Sequence, residues 1–257
     1  MLEGPAGTGK TTFLNATLDM IGERNWAQVT LQDLAEARFA PALLENKLVG
    51  TFDDLGNKPM KTVTRIKALT GGHPWLTVER KHEDQYDAPL YAKLLFTCNE
   101  MPLGADKSQA WLDRLCLIPF NNRFRDTEAD DKDMPAKLAT SEALEFLFVF
   151  AVSGLKTLTE NDWQFPEPES VEVELEDYNK RNDTVAAFVD ECCTVMAGLK
   201  AERGQWYSRY YEWAEASGLY PISKSKAFKR LREDYECEDY QNNSGKRFFK
   251  GIGLRAE

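Results

Sequence analysis

Gly4 to Thr11 reads GPAGTGKT, and no other stretch of the chain restricts the fold so tightly. A G-x-x-x-x-G-K-[ST] run that passes straight into a helix turns its backbone N–H groups inward around phosphate, where the helix N-terminus adds partial positive charge. Such a loop is built between a strand and a helix, which commits the chain to an α/β architecture. Gly4, Pro5, Ala6, Gly7, Thr8 and Gly9 form the cradle, Lys10 reaches the β- and γ-phosphates, Thr11 offers its hydroxyl to Mg²⁺, and Thr12 completes the nucleotide-binding run. The expected ligand is ATP with Mg²⁺. Only Met1, Leu2 and Glu3 stand before the loop, so the strand that should feed it is expected to be missing and the chain to be N-terminally truncated.

The first 125 residues alternate helical and strand-like patterns. Helices are expected over 10–23, 33–44 and 60–69, strands over 47–52, 93–98 and 115–120, and a hairpin over 75–91. After an acidic loop, 142–158 reads as a helix whose apolar residues cover most of its circumference. Pro166, Pro168 and a run of glutamates then mark a linker or connecting helix. Beyond it an apolar helix over 185–199, an aromatic stripe of Trp206, Tyr210 and Trp213 at helical spacing, and the basic amphipathic run SKSKAFKRLRE precede a hairpin turning at 242–245. That order is the order of a winged helix, with the stripe read as core rather than as a ligand platform. The expected organisation is an ATPase core of parallel sheet and flanking helices over 1–160, a connecting segment over 161–183, and a small winged-helix domain over 184–257.

The formal charge of −10 speaks superficially against nucleic acid, which selects basic surfaces. Its distribution reverses that reading. Residues 126–191 hold 18 acidic and 5 basic side chains, whereas 221–257 hold 9 basic and 6 acidic ones, clustered at Lys224–Arg232 and Lys246–Lys250. Five cysteines without CxxC spacing indicate neither a disulfide framework nor a zinc site. No stretch approaches the roughly 18 apolar residues of a membrane span, and no signal peptide opens the chain, so a cytoplasmic protein is expected.

Further chemistry is signalled by four groups. Asp53 and Asp54 end the run LVGTFDD, where one carboxylate can hold the Mg²⁺ shell and its neighbour can polarise an attacking water; without the phosphate loop, DDLGN reads as a solvated turn. Asn99 ends KLLFTCN, where it can sense the γ-phosphate or position water. Arg114 opens RLCLIPF, where its guanidinium is either an arginine finger or a surface ion-pair partner. Lys81 and His82 fall near the expected hairpin tip, where they either contact DNA phosphates or are merely solvated. His73 and His82 lack a metal-ligand set, so no metal beyond the nucleotide's Mg²⁺ is assigned.

In order, GPAGTGKTTFLN, LVGTFDDLG, IKALTGG followed by ERKH, LLFTCNEMP and DRLCLIPF resemble the motif series of superfamily 3 helicases, most closely the phage and plasmid primase-helicases related to the poxvirus-type enzymes. The resemblance covers residues 4–125, and the C-terminal region resembles the winged domain that commonly follows. It implies an AAA+-type homo-oligomeric ring, usually a hexamer, that moves 3′ to 5′ on single-stranded DNA and unwinds a fork. It also implies ATP held between subunits, with Lys10, Thr11, Asp53, Asp54 and Asn99 on one side and Arg114, with Lys67, supplied by the neighbour. Lys81 and His82 match the central-channel hairpin that grips DNA, replication proteins are possible further partners, and a primase domain often precedes such a motor. Two rivals stay open: an AAA+ loader or remodeller without unwinding, and a nucleotide-binding DNA initiator module. A small-molecule kinase has no use for Asn99, Arg114 and a winged tail.

Overall fold

The computed structural model describes residues 1–73, 75–103, 106, 108–166 and 168–255. It divides into two compact units, Met1–Glu176 and Asp177–Glu257. The division falls inside the segment expected to connect two domains, and that segment is mostly helix.

The first unit begins with β1 (Leu2–Glu3), which runs through the Gly4–Gly9 loop into α1 (Lys10–Ile21). β2 (Trp26–Gln28), α2 (Leu31–Glu36), β3 (Val49–Leu55) and α3 (Thr64–Leu69) follow. A hairpin of β4 (Trp75–Val78) and β5 (Tyr86–Pro89) leads to β6 (Lys93–Cys98), α4 (Gln109–Leu112) and β7 (Ile118–Pro119). The unit closes with α5 (Met134–Leu138), α6 (Ser141–Glu160) and most of α7 (Glu169–Asn182).

β2, β3, β6, β1 and β7 lie in that order in one sheet, every pair parallel. Parallel strands need both faces covered, which suits apolar runs such as KLLFTC. Leu2, Leu14, Leu34, Leu44, Phe96, Trp111 and Leu117 accordingly sit within the core. The expectation that the loop lacks its strand is corrected here. β1 is only two residues long, yet it lies between β6 and β7, with Leu2 opposite Thr97 and Ile118.

Two further boundaries differ from the sequence reading. The helix expected over 33–44 breaks after Glu36 and resumes as a 3₁₀ turn at Ala40–Leu44. Pro41 has no N–H to donate to residue 37, and its ring disfavours helix at Ala40. Arg114 does not open a strand; it lies in the turn closing α4, its N–H bonded to Trp111 O at 3.1 Å. On α6, Phe146, Phe148, Val149 and Phe150 remain exposed.

The second unit follows α7 with α8 (Thr184–Cys192), β8 (Cys193–Glu202), α9 (Arg203–Ala216), α10 (Lys224–Asp234), β9 (Glu238–Gln241) and β10 (Arg247–Leu254). Its sheet is antiparallel in the order β8-β10-β9. The helix expected over 185–199 therefore ends at Cys192. Periodicity does not separate a buried helix from a strand in a short apolar run, and the pairing of 193–202 with β10 decides for strand. The aromatic stripe is core: Trp206 and Tyr210 are fully buried beside Phe188, whose ring meets Trp206 edge-on at 5.2 Å. Tyr210's hydroxyl accepts Ile222 N–H at 2.9 Å and pairs with Thr184 Oγ1 at 2.7 Å, so its burial leaves no unmet polar atom.

Candidate functional site

In a parallel sheet the carboxyl ends of the strands share one edge, and ligand sites in such folds lie there. The 4–9 loop leaves that end of β1, Asp53 and Asp54 lie at that end of β3, Asn99 follows β6, and Phe120 follows β7. One cleft of about 690 Å³ is lined by residues 6–12, Asp53, Asp54, Thr97 and Asn99, together with Phe120, Phe124 and Arg125 from the segment that follows β7.

The loop's shape depends on glycine at two points. Gly4 has φ +148, and a Cβ there would stand 2.4 Å from Phe120 O; Gly7 has φ +83, and a Cβ there would meet Arg125 Cβ at 2.6 Å. Gly7 O accepts N–H bonds from Phe124 at 2.9 Å and Arg125 at 3.2 Å. Because a peptide is planar and trans, a carbonyl fixed outward turns the next N–H, that of Thr8, the other way. Among the described residues, the N–H groups of Gly7, Thr8, Gly9, Lys10 and Thr11 donate to no backbone carbonyl. Free donors at the start of a helix are what a polyphosphate chain requires. Lys10 is buried, its Nζ folded back to Gly4 O at 2.6 Å and Pro5 O at 2.8 Å, bracing the loop from within.

Across from the loop, β3 carries a bulge between Phe52 and Leu55 where it pairs with β6. Bulges re-aim side chains at sheet ends. Asp53 Oδ1 there accepts Thr11 Oγ1 at 3.1 Å and Thr97 Oγ1 at 2.6 Å. Asp54 is exposed, with φ +56, and donates its N–H to Thr97 Oγ1 at 2.7 Å. Thr97 thus ties both acidic residues to β6. Sequence reading missed it, although a threonine inside KLLFTC is the one polar side chain in an otherwise apolar stretch past Lys93. Thr11, Asp53 and Asp54 offer only oxygen ligands, the donor set that Mg²⁺ prefers, and Mg²⁺ of this kind takes its remaining ligands from phosphate and water. Among the described residues, no three His, Cys, Asp or Glu side chains gather as a metal site.

Four sequence candidates lie away from this cleft. Arg114 precedes β7, so it sits at the amino edge of the sheet, opposite the loop that leaves the carboxyl end of the adjacent, parallel β1. Its Nη1 donates to Ala110 O, while its Nε is buried without a partner. Lys67 is engaged within the chain, donating to Asp106 Oδ2 at 2.8 Å. Burial pushes the Asp106 carboxyl up, but the hydrogen bonds from Lys67 and Ser108 outweigh it and hold the group below its ordinary range. Lys81 and His82 are exposed in the turn between β4 and β5, His82 with φ +69, beside the equally exposed Glu83 and Asp84. The turn end of the hairpin is anchored by Glu45, which takes Tyr86 OH at 2.8 Å and an ion pair from Arg80.

Residues 2–114 match a family of unknown function (DUF5906), and residues 180–250 match the poxvirus D5 protein-like family. The chain is 25% identical over 218 residues to "Putative helicase 121R" of Invertebrate iridescent virus 3, covering 73% of this chain. It spans only 23% of that relative's length. Two apo structures of the NrS-1 C-terminal region share the fold, with TM-scores of 0.51 and 0.50 at 12% and 14% identity. Each covers 98% of this chain, which spans 66% of either solved chain. The sequence similarities are thus to viral helicase-like proteins. Among the described residues, no helix is long and apolar enough to cross a membrane.

Proposed function

We propose that this chain is the ATP-hydrolysing motor of a superfamily 3, primase-helicase-type DNA helicase, an AAA+ P-loop core followed by a winged-helix unit. The observation that carries the reading is the split of the catalytic set across the sheet. Lys10, Thr11, Asp53, Asp54 and Asn99 gather at its carboxyl edge, and Arg114 stands at the other.

In this reading the loop N–H groups and Lys10, once released from Gly4 O and Pro5 O, hold the β- and γ-phosphates. Thr11 and Asp53 hold Mg²⁺, which when bound offsets phosphate charge. Asp54 and Asn99 orient the water whose oxygen attacks the γ-phosphorus as the bond to the β-phosphate oxygen breaks. An arginine that a single chain keeps away from its own cleft fits a ring in which the neighbour supplies it, and the exposed apolar side chains of α6 support self-assembly. Lys81 and His82 would grip single-stranded DNA. The similarity to viral helicase-like proteins supports the same function.

The test is ATP turnover with and without single-stranded DNA, together with strand displacement on a forked duplex. DNA-stimulated turnover that disappears in Lys10→Ala, accompanied by unwinding, is expected. No turnover in an assembled ring with Mg²⁺ and DNA present would exclude the reading.

One observation favours a remodeller or loader that does not unwind. Several C-terminal cations are engaged internally: Arg230 with Asp183 and Asp234, Arg232 with Asp239, and Lys246 with Glu202. A unit so paired offers less charge to DNA phosphates than its sequence promises. Turnover without strand displacement would select this alternative.

A further inference from the structure

We propose that Arg125 is a nucleotide-binding residue acting in cis, its guanidinium engaging the phosphates held by the loop of its own chain. The proposal rests on the nucleotide-binding reading above and adds to it a cation that no motif in the sequence marked.

The segment after β7 runs alongside the loop from end to end. Phe120 N–H bonds Glu3 O at 2.7 Å, and Phe120 O occupies the space where a Cβ on Gly4 would stand. Phe124 and Arg125 N–H both bond Gly7 O, and Arg125 Cβ fills the space over Gly7. The Arg125 backbone is therefore fixed on the same peptide whose far side turns Thr8 N–H into the cradle, and its side chain lines the same cleft as Lys10.

The surrounding charges isolate this guanidinium. Arg123 is paired with Asp126 at 3.2 Å, Asp131 with Lys137 at 2.5 Å, and Asp130 accepts the Asp126 N–H at 3.1 Å. Among the described residues, Arg125 has no ion-pair partner, and its backbone N–H and carbonyl make its hydrogen bonds. An unpaired, always-charged planar fork held at a cradle of free N–H donors matches a phosphate oxygen in charge and in geometry. Lys10 is buried under the loop, so Arg125 would meet the phosphates from the solvent side, closing the cleft over them.

The test measures equilibrium binding of a fluorescent ATP analogue with Mg²⁺ to the full chain, in parallel with thermal denaturation. Arg125→Ala keeps Cβ and the N–H to Gly7 O, so it removes the guanidinium while leaving the packing. The expected result is affinity lower by about tenfold or more, the size of a charge-assisted hydrogen bond, with an unchanged melting temperature and partial recovery in Arg125→Lys. AMP, with one phosphate, should show a smaller loss than ATP. Lys10→Ala is the control that separates the two claims. If it abolishes binding while Arg125→Ala binds as the unsubstituted chain does, this proposal is wrong and the site stands. If the unsubstituted chain binds no nucleotide, both fail. A lowered melting temperature with affinity unchanged would assign Arg125 to loop packing and overturn the proposal.

Discussion

Thr97 Oγ1 donates to Asp53 Oδ1 at 2.6 Å, and the same oxygen accepts the N–H of Asp54 at 2.7 Å. One buried hydroxyl on β6 thereby fixes the side chain of one acidic residue and the backbone of the next, at the bulge where β3 leaves regular pairing. Thr97→Val keeps the shape and removes both bonds. It should cost about 1–3 kcal/mol of stability for the lost buried partners and lower Mg²⁺-dependent ATP turnover roughly 10- to 100-fold, as loss of a group that orients a metal ligand does. Thr97→Ser should keep most of both. Turnover measured against Mg²⁺ concentration, beside a melting curve, checks this; equal turnover in Val and Ser variants would dismiss the role.

Gly7 and Gly9 both have left-handed backbones, φ +83 and +88, but different surroundings. A Cβ on Gly7 meets Arg125 Cβ at 2.6 Å, while one on Gly9 has nothing within 4 Å. Gly9→Ala should therefore cost only the conformational term, about 1–2 kcal/mol, and Gly7→Ala more, because the 120–125 segment must move as well. Thermal melts of the two variants decide, and an equal drop would show that this segment yields freely.

Arg114 lies across the sheet from Lys10, so the two should complement each other between chains. Lys10→Ala and Arg114→Ala are each expected to lose ATP turnover, the second by roughly 10³-fold or more for an arginine finger. A mixture should recover part of it, because some interfaces pair an intact loop with an intact arginine. No recovery in mixed, assembled protein would place Arg114 in a structural role.

Burial pushes the thiols of Cys193 and Cys237 up to about 11 in the folded chain, against an ordinary value of 9.0. A raised acid pKa favours the neutral, folded form below the unfolded value, so this stabilisation is complete below pH 9.0 and is lost as pH rises toward 11. The melting temperature should hold to about pH 9 and fall above it, and Cys237→Ala should soften that fall. Alkylation at neutral pH should label exposed Cys116 before buried Cys193 or Cys237. Prompt labelling of Cys237 in the folded chain would contradict this.

Much of the site was written in local order. GPAGTGKT announces a cradle because glycine spacing and the lysine suffice to specify it, and the helix expected from Lys10 and the strand expected over 93–98 are found as α1 and β6. The aromatic stripe of α9 was likewise legible as core from its spacing. The remainder depended on which distant segments meet. β1 is too short to show periodicity and is a strand only because β6 and β7 flank it. β8 is a strand because β10 pairs with it. Thr97 lies in LLFTCNEMP without a role its position there would announce, Arg125 lies in no motif, and each gains a role from a partner more than forty residues away, Asp53 at a separation of 44 in one case and Gly7 in the other. Sequence alone thus determined the chemistry available to this protein, since short-range spacing sets backbone shape and side-chain type. The tertiary structure decided which groups face each other across the cleft and which, like Arg114, are held away from it, because strand order and register are set by pairings between residues far apart in the chain.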